Sequence, residues 1–175
     1  LSPAFEGLHD IYIPTYRPTR QPIPLTQVDE RIGTHAINID PAKIVGIVIN
    51  NDLHDSPSTV TAPDDETQGI ADHLIAFFEK EVAEERLPKN LGPLQAGIGS
   101  IANAVLTGLK DSNFEDLVMY SEVLQDCTFE LIDAGKMKFA SGSSITLSAK
   151  YGEKVFNNLE AYKDKLVLRP QEISN

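Results

Sequence analysis

The sequence predicts an α/β fold with a parallel sheet, because strand-like and helix-like patterns alternate along the chain. Short runs of apolar and β-branched residues occur at 43–49, 117–120 and 166–168. Between and around them, apolar residues recur at helical spacing, at 65–84, 100–109 and 124–134. This alternation is typical of strand–helix–strand units, in which the helices return the chain to one end of the sheet.

The first third of the chain contains one predicted strand between two irregular segments. Residues 1–36 carry Pro3, Pro14, Pro18, Pro22 and Pro24. Proline fixes φ and removes a donor, so this segment should be extended and should wrap another surface. Residues 43–49 (KIVGIVI) predict a buried strand. The polar segment 50–66 is the best candidate for a linker or domain boundary.

A helix is predicted from about Asp65 to Glu84. One apolar stripe should face the core, formed by residues four apart: Ile70, Leu74, Phe78 and Val82. Leu87-Pro88 ends this helix. A glycine turn follows, and Ser100 is expected to cap a second helix that runs to about Leu109.

The remaining elements alternate. Residues 117–120 predict a short strand, and 124–134 a helix that ends at Gly135, a favourable residue after a helix C-terminus. Residues 138–140 predict a weak strand, 146–162 one or two helical turns with loops, and 166–168 a further strand.

The amino-acid composition argues against several classes of protein. The formal net charge of −11 and pI near 4.7 argue against nucleic-acid binding, which favours clustered Lys and Arg. No apolar run approaches the roughly 20 residues of a membrane helix. A single cysteine, Cys127, excludes an intrachain disulfide framework. The chain begins at Leu1 and ends just after a strand-like run, so we expect an internal piece of a longer protein.

Two features together suggest acyl transfer. The turn around Gly97 and Gly99 opens a predicted helix, whose backbone N–H groups can hold an anion or oxyanion. Glu122 follows a short apolar strand, where the carboxyl edge of an α/β sheet presents ligand-binding groups. A carboxylate nucleophile facing an oxyanion-binding loop is what covalent acyl transfer requires.

Each feature alone has a simpler interpretation. Gly97 and Gly99 are equally compatible with a tight turn, and the segment lacks the third glycine of a dinucleotide fingerprint and the Lys of a P-loop. Glu122 alone resembles a solvated loop residue. With Asp126 it could form a carboxylate pair on one helical face, as in glycosidases, but the chain has no Trp and no other sugar-binding feature.

Other reactive residues are weaker candidates. The four histidines are scattered and form no metal-binding motif, so no metal site is expected. Cys127 has no histidine nearby in sequence and is expected to be a small, semi-buried thiol rather than a nucleophile.

Three motifs carry a specific resemblance. In order they are QAGIGSIANAVL (95–106), MYSEVLQD (119–126) and KLVLRPQEISN (165–175). They resemble the acetyl-CoA hydrolase/transferase family, most of all its succinyl-CoA:acetate CoA-transferases. Residues 8–25, 39–48 and 70–82 also resemble that family, so the similarity covers essentially the whole chain.

The resemblance implies a fold of the NagB/RpiA/CoA-transferase type with parts of two α/β domains. Family members are about three times this length. Residues 1–50 would end the N-terminal domain, 51–66 would form the linker, and 67–175 would begin the C-terminal domain. The family's arginine near the linker has no match in Asp52–Ser56.

The resemblance also implies function. Glu122 would be the catalytic glutamate, Asn175 would help hold the reacting acyl group, and the CoA-binding loop would comprise Gly97, Ile98, Gly99, Ser100 and Ile101. The implied activity is transfer of CoA from an acyl-CoA to a small carboxylate such as acetate, through a glutamyl-CoA thioester. Alternatives are acetyl-CoA hydrolysis at the same site, or a non-catalytic α/β binding domain.

The implied partners are acyl-CoA and small carboxylates, with coenzyme A as a substrate and no separate cofactor. The full-length protein would be a homodimer. A bacterial cytoplasm and a mitochondrial matrix both fit, and neither nucleic acid nor membrane is an expected partner.

Overall fold

A computed structural model describes residues 3–15, 18, 20–51, 56–59 and 63–174. The helices and strands, in chain order, are α1 (Asp65–Ala83), β1 (Pro93–Leu94), α2 (Ser100–Asp111), β2 (Leu117–Leu124), α3 (Asp126–Asp133), β3 (Met137–Ile145), α4 (Ala149–Phe156), β4 (Leu166–Leu168) and α5 (Pro170–Ser174). Short 3₁₀ helices occupy Pro3–Phe5, Ile13–Thr15, Pro41–Lys43 and Leu159–Lys165. Among these described residues, no helix is long and apolar enough to span a membrane.

The strands form one four-stranded parallel sheet in the order β1-β2-β3-β4. Each connection between neighbouring strands contains a helix, so the predicted α/β fold is confirmed. The predicted strands at 117–120 and 138–140 are parts of longer strands. β2 and β3 continue to pair beyond the predicted ends, from Ser121↔Gly142 to Leu124↔Ile145. β1 and α5 were not predicted, because two and five residues are too short to show a period.

Helix α1 confirms the predicted helix and half of its predicted apolar stripe, because Phe78 and Val82 pack against the core whereas Ile70 and Leu74 do not. Asp64 and Thr67 form a reciprocal capping box at its start. Ile70 and Leu74, predicted to face the core, are 37% and 36% exposed. The buried face includes Ala71 and Ile75 instead, because α1 packs on α2 where Gly108 leaves room for the Ile75 side chain.

The later helices follow the prediction more closely. α3 ends just before Gly135, whose φ of 73° is accessible mainly to glycine. The weakly patterned 146–162 region forms α4 and most of the 3₁₀ helix at Leu159–Lys165.

The proline-rich N-terminal segment lies against the sheet, as predicted. His9 bridges Leu168 of β4, and Ile11 exchanges two backbone hydrogen bonds with Thr34. We call the described residues 8–15 and 20–34 the N-terminal strap. Leu8 and Asp10 within it are almost completely buried.

A buried arginine anchors this strap. Arg169, 0% exposed, directly follows β4 and forms an ion pair with Asp10. Its Nε donates to Ser141 Oγ of β3 at 3.2 Å, and its Nη2 donates to the backbone oxygens of Val28 and Glu30. One guanidinium therefore connects β3, the end of β4 and two parts of the strap.

The predicted buried strand at 43–49 is wrong for this structure. Pro41–Lys43 is a 3₁₀ helix, and residues 44–50 are irregular and exposed. A strand needs a neighbouring strand to satisfy its backbone groups, and none of the described residues pairs with this run. The proposed linker and domain boundaries remain predictions, and residues 52–55 and 60–62 lie outside the described chain.

We predict that Arg169→Leu lowers the free energy of unfolding of this 175-residue chain by about 3–5 kcal/mol, because it leaves Asp10 buried without its counter-charge. Arg86→Leu is the matched control. Arg86 pairs with Glu81 and Glu84 but its side chain is 51% exposed, so water screens these ion pairs and the loss of Arg86 should cost much less. Urea denaturation followed by circular dichroism measures both. Equal costs for the two variants would contradict the anchoring role of Arg169.

Candidate active site

Glu122 lies inside β2, two residues before its last residue, Leu124, rather than in the loop after the strand. The strand continues past the predicted end at Tyr120 because β3 pairs with it on to Leu124↔Ile145. Side chains alternate along a strand, so Glu122 and Tyr120 share one face while Ser121 points to the other. The Glu122 side chain is exposed, in a position to meet a ligand at the carboxyl side of the sheet.

Two polar side chains, one on β2 and one just after it, hold the glycine turn against the C-terminal end of β2. The Ala96 N–H donates to Ser121 Oγ at 3.3 Å, and the Ser121 hydroxyl donates to the Ala96 carbonyl at 3.0 Å. Gln125 Nε2 donates to the Gly97 carbonyl at 3.2 Å. These bonds fix the turn against the end of β2, the strand that carries Glu122, while the Glu122 side chain lies on the opposite face from Ser121.

The turn opens directly into α2. Gly99 is the residue before the helix, with φ 158° and ψ 164°, a region that is almost exclusive to glycine. No side chain caps α2, so the prediction that Ser100 caps this helix is wrong: Ser100 is its first residue. The first backbone N–H groups of this 12-residue helix therefore have no intrahelical partner, and the positive end of its dipole is uncapped.

An open cleft of about 550 Å³ lies at this helix start. Its lining includes all five residues of the predicted CoA-binding loop, Gly97 to Ile101, together with apolar side chains from α1, β1 and α2. The cleft combines an apolar wall with free backbone donors, which suits a ligand with both apolar and anionic parts.

Asp126 does not form a catalytic pair with Glu122. Asp126 starts α3, whereas Glu122 belongs to β2, so the two share no helical face. The Asp126 carboxylate instead accepts hydrogen bonds from the Ser148 N–H at 2.9 Å and the Ser148 hydroxyl at 2.5 Å. The carboxylate pair that glycosidase chemistry needs is therefore not formed by these two residues.

Cys127 is a buried structural residue, as predicted. It is 5% exposed and its Sγ lies 3.7 Å from Asn103 Oδ1. Desolvation raises the pKa of this thiol to about 12, so it carries almost no thiolate at neutral pH. Among the described residues, no group of three or more His, Cys, Asp or Glu side chains could hold a metal ion.

Glu172 on α5 is a buried acid that the sequence did not reveal. It is 8% exposed, and neither carboxyl oxygen has a hydrogen-bond partner among the described residues. Desolvation raises its pKa, the charge of Asp10 raises it further, and Arg169 opposes the shift. Glu172 also influences Tyr120, whose pKa is raised mainly by desolvation. Asn175, the third predicted site residue, follows α5 and lies outside the described chain.

Comparison with known proteins identifies close relatives. The chain is 47% identical over 173 residues to an acetyl-CoA hydrolase from Schizosaccharomyces pombe, 48% over 177 residues to one from Neurospora crassa, and 43% over 174 residues to one from Saccharomyces cerevisiae. Each alignment covers 99% of this chain and 33% of the relative. No protein-family model matches the chain.

The chain thus spans about a third of the length of the curated relatives it matches. The similarity extends over nearly every residue of the chain and includes the three motifs that flank the candidate site. The resemblance to the acetyl-CoA hydrolase/transferase family is therefore confirmed.

We predict that Glu172→Gln stabilises the 175-residue chain at pH 8 and leaves its stability nearly unchanged at pH 4. Because the folded-state pKa is raised, Glu172 favours folding while protonated, and that stability is lost as pH rises through the folded pKa. Glutamine is neutral at both pH values, so the free energy of unfolding of the variant should lose this part of its dependence on pH. Urea midpoints at both pH values test the prediction, with Glu160→Gln as the control at an 82% exposed carboxylate. An equal shift at pH 4 and pH 8 would contradict it.

Proposed function

We propose that this chain belongs to an enzyme that moves CoA between an acyl-CoA and a small carboxylate such as acetate, with Glu122 as the nucleophile. The observation that carries the proposal is that an exposed Glu122 lies on the same strand end, between Ser121 and Gln125, that holds the glycine turn in position. The names of the relatives, acetyl-CoA hydrolases, support acyl-CoA as the substrate class.

The proposed reaction starts with attack of the Glu122 carboxylate on the thioester carbonyl of the acyl-CoA. A carboxylate side chain that is exposed at the edge of the sheet is accessible for nucleophilic attack. The C–S bond breaks and leaves CoA thiolate and a mixed acyl-glutamyl anhydride. The thiolate then attacks the glutamyl carbonyl, the first carboxylate leaves, and the enzyme holds a glutamyl-CoA thioester. A second carboxylate reverses these steps and leaves as the new acyl-CoA.

Every step passes through a tetrahedral oxyanion, which needs hydrogen-bond donors. We propose the backbone amides of the Gly97–Ser100 turn and the side-chain amide of Asn175 for this role. One well-placed donor is worth about 2.7–4 kcal/mol in the transition state. Helix α5, which directly precedes Asn175 in the sequence, packs against β2 and β3.

The cleft at the start of α2 is the proposed CoA-binding surface, with Gly97, Ile98, Gly99, Ser100 and Ile101 as its loop. Coenzyme A is then a substrate, and we propose no separate cofactor. The full-length protein, meaning a polypeptide of the relatives' length that contains this segment, is proposed to act as a homodimer. Its proposed compartment is a bacterial cytoplasm or a mitochondrial matrix.

Hydrolysis at the same site is the second candidate function, and the relatives' names favour it. Water that reaches the anhydride or the glutamyl-CoA thioester converts transfer into hydrolysis, so the balance depends on how well the site excludes water. Acetate-dependent transfer and acetate-free release of CoA, measured on one preparation, separate the two. A non-catalytic binding domain would show neither activity.

We predict that Glu122→Ala reduces both transfer and hydrolysis by the full-length protein to below a few per cent. Glu122→Asp should also be severely impaired, because one methylene fewer displaces the carboxylate by about 1 Å. Glu115→Ala is the control, since Glu115 is an exposed glutamate whose side chain is 74% accessible. Retention of substantial activity by Glu122→Ala would exclude the nucleophilic role.

We predict that Gly99→Ala weakens acyl-CoA binding, with a KM raised about tenfold or more and a smaller change in kcat. Alanine cannot adopt the Gly99 conformation without about 1–3 kcal/mol of strain, which shifts the turn and the start of α2. Gly69→Ala is the control, because a Cβ there meets nothing within 4 Å. Steady-state kinetics of the full-length variants test this. An unchanged KM in Gly99→Ala would show that the turn is not part of the CoA-binding site.

A further inference from the structure

A buried glutamine reaches from the end of β2 to the glycine turn. Gln125 follows the last residue of β2, precedes α3 and is 5% exposed. Residues at such a position commonly cap the helix with a short polar side chain, such as that of Ser, Thr, Asp or Asn. Gln125 makes no capping bond to α3, and its Nε2 donates to the Gly97 carbonyl at 3.2 Å instead. The long amide side chain therefore acts on the turn rather than on its own helix.

This hydrogen bond sets the direction of one peptide group. In a trans peptide, the C=O of one residue and the N–H of the next point in opposite directions. Since the Gly97 carbonyl points toward Gln125, the Ile98 N–H points away from it. The cleft at the start of α2 is lined by Gly97 and Ile98 but not by Gln125. The Ile98 N–H is therefore directed to the cleft side of the turn, and no acceptor among the described residues binds it.

The turn needs such a hydrogen bond because its glycines do not fix their own backbone. Glycine populates more φ/ψ combinations than other residues, and Gly97 and Gly99 flank Ile98. A Cβ added to Gly97 would meet nothing within 4 Å, so close packing does not hold this peptide group either. Rotation of the Gly97–Ile98 peptide would direct the Gly97 oxygen into the cleft, where it would repel an anionic group.

We propose that Gln125 is a positioning residue: by holding the Gly97 carbonyl, it keeps the Ile98 N–H directed at the oxyanion of the reacting acyl group. The inference rests on the proposed function and assigns Gln125 no contact with the substrate. Ser121 holds Ala96 at both its N–H and its carbonyl and so anchors the base of the turn. Among the described residues, only Gln125 bonds the Gly97 carbonyl.

Steady-state kinetics of the full-length protein test the proposal with two substitutions. Gln125→Met keeps the length of the side chain but removes its donor. Because a donor to an oxyanion acts in the transition state, Gln125→Met should lower kcat about 100-fold while KM changes less than about threefold. Gln68→Met is the control, since it removes an exposed hydrogen bond from Gln68 Nε2 to Asp72 on α1 and should change neither value.

Gln125→Glu distinguishes the hydrogen bond from packing. At pH 8 its carboxylate cannot donate, so this variant should be at least as impaired as Gln125→Met. Burial and the neighbouring carbonyl oxygen favour the protonated carboxyl, which can donate to Gly97. The activity of Gln125→Glu, relative to the unsubstituted protein at the same pH, should therefore recover at least about tenfold toward pH 5.5. Gln125→Met should show no such recovery.

Glu122→Ala, measured in parallel, separates this inference from the proposed function. If Glu122→Ala abolishes turnover while Gln125→Met keeps the kcat of the unsubstituted protein, only the positioning role is overturned. A rise in KM and a fall in melting temperature, without recovery of Gln125→Glu at low pH, would show that Gln125 only supports the fold and would also overturn that role. Turnover that survives Glu122→Ala would contradict the proposed function, and the positioning role with it.

Discussion

The fold depends above all on one buried guanidinium. Arg169 follows β4 and binds Asp10, Ser141 and the backbone oxygens of Val28 and Glu30. A buried charge is costly unless it is paired and fully hydrogen-bonded, so these partners must all be present together. The same contact therefore closes the N-terminal strap over the sheet and fixes the point at which α5 begins.

The sheet that Arg169 joins to the N-terminal strap also positions the candidate site. Ser141 of β3 pairs with Tyr120 of β2, two residues before Glu122 on the same face. On the other face, Ser121 fixes the backbone of Ala96, which brings the glycine turn and the start of α2 to the same edge. The strands thus position both the carboxylate and the uncapped helix N-terminus, as the proposed covalent mechanism would need.

Sequence patterns predict the parts of this structure that depend on local chemistry. Alternating periods predict the parallel sheet, and Gly135 predicts the end of α3. The failures arise where distant contacts decide. Residues 44–49 have the local features of a strand but pair with no strand among the described residues. In α1, Ala71 and Ile75 face the core in place of Ile70 and Leu74, because Gly108 of α2 leaves room for Ile75. Burial of Glu172 depends on α5 and the strap together. A local sequence pattern cannot predict such a contact between distant segments.

Mass spectrometry of the intact full-length protein tests the central claim most directly. After incubation with acyl-CoA and without a carboxylate acceptor, the account predicts a covalent adduct of the mass expected for CoA, mapped by peptide analysis to Glu122. The adduct should disappear on addition of acetate as acetyl-CoA forms. An adduct on another residue, or turnover of acyl-CoA with no adduct at any time, would contradict a glutamyl-CoA intermediate at Glu122.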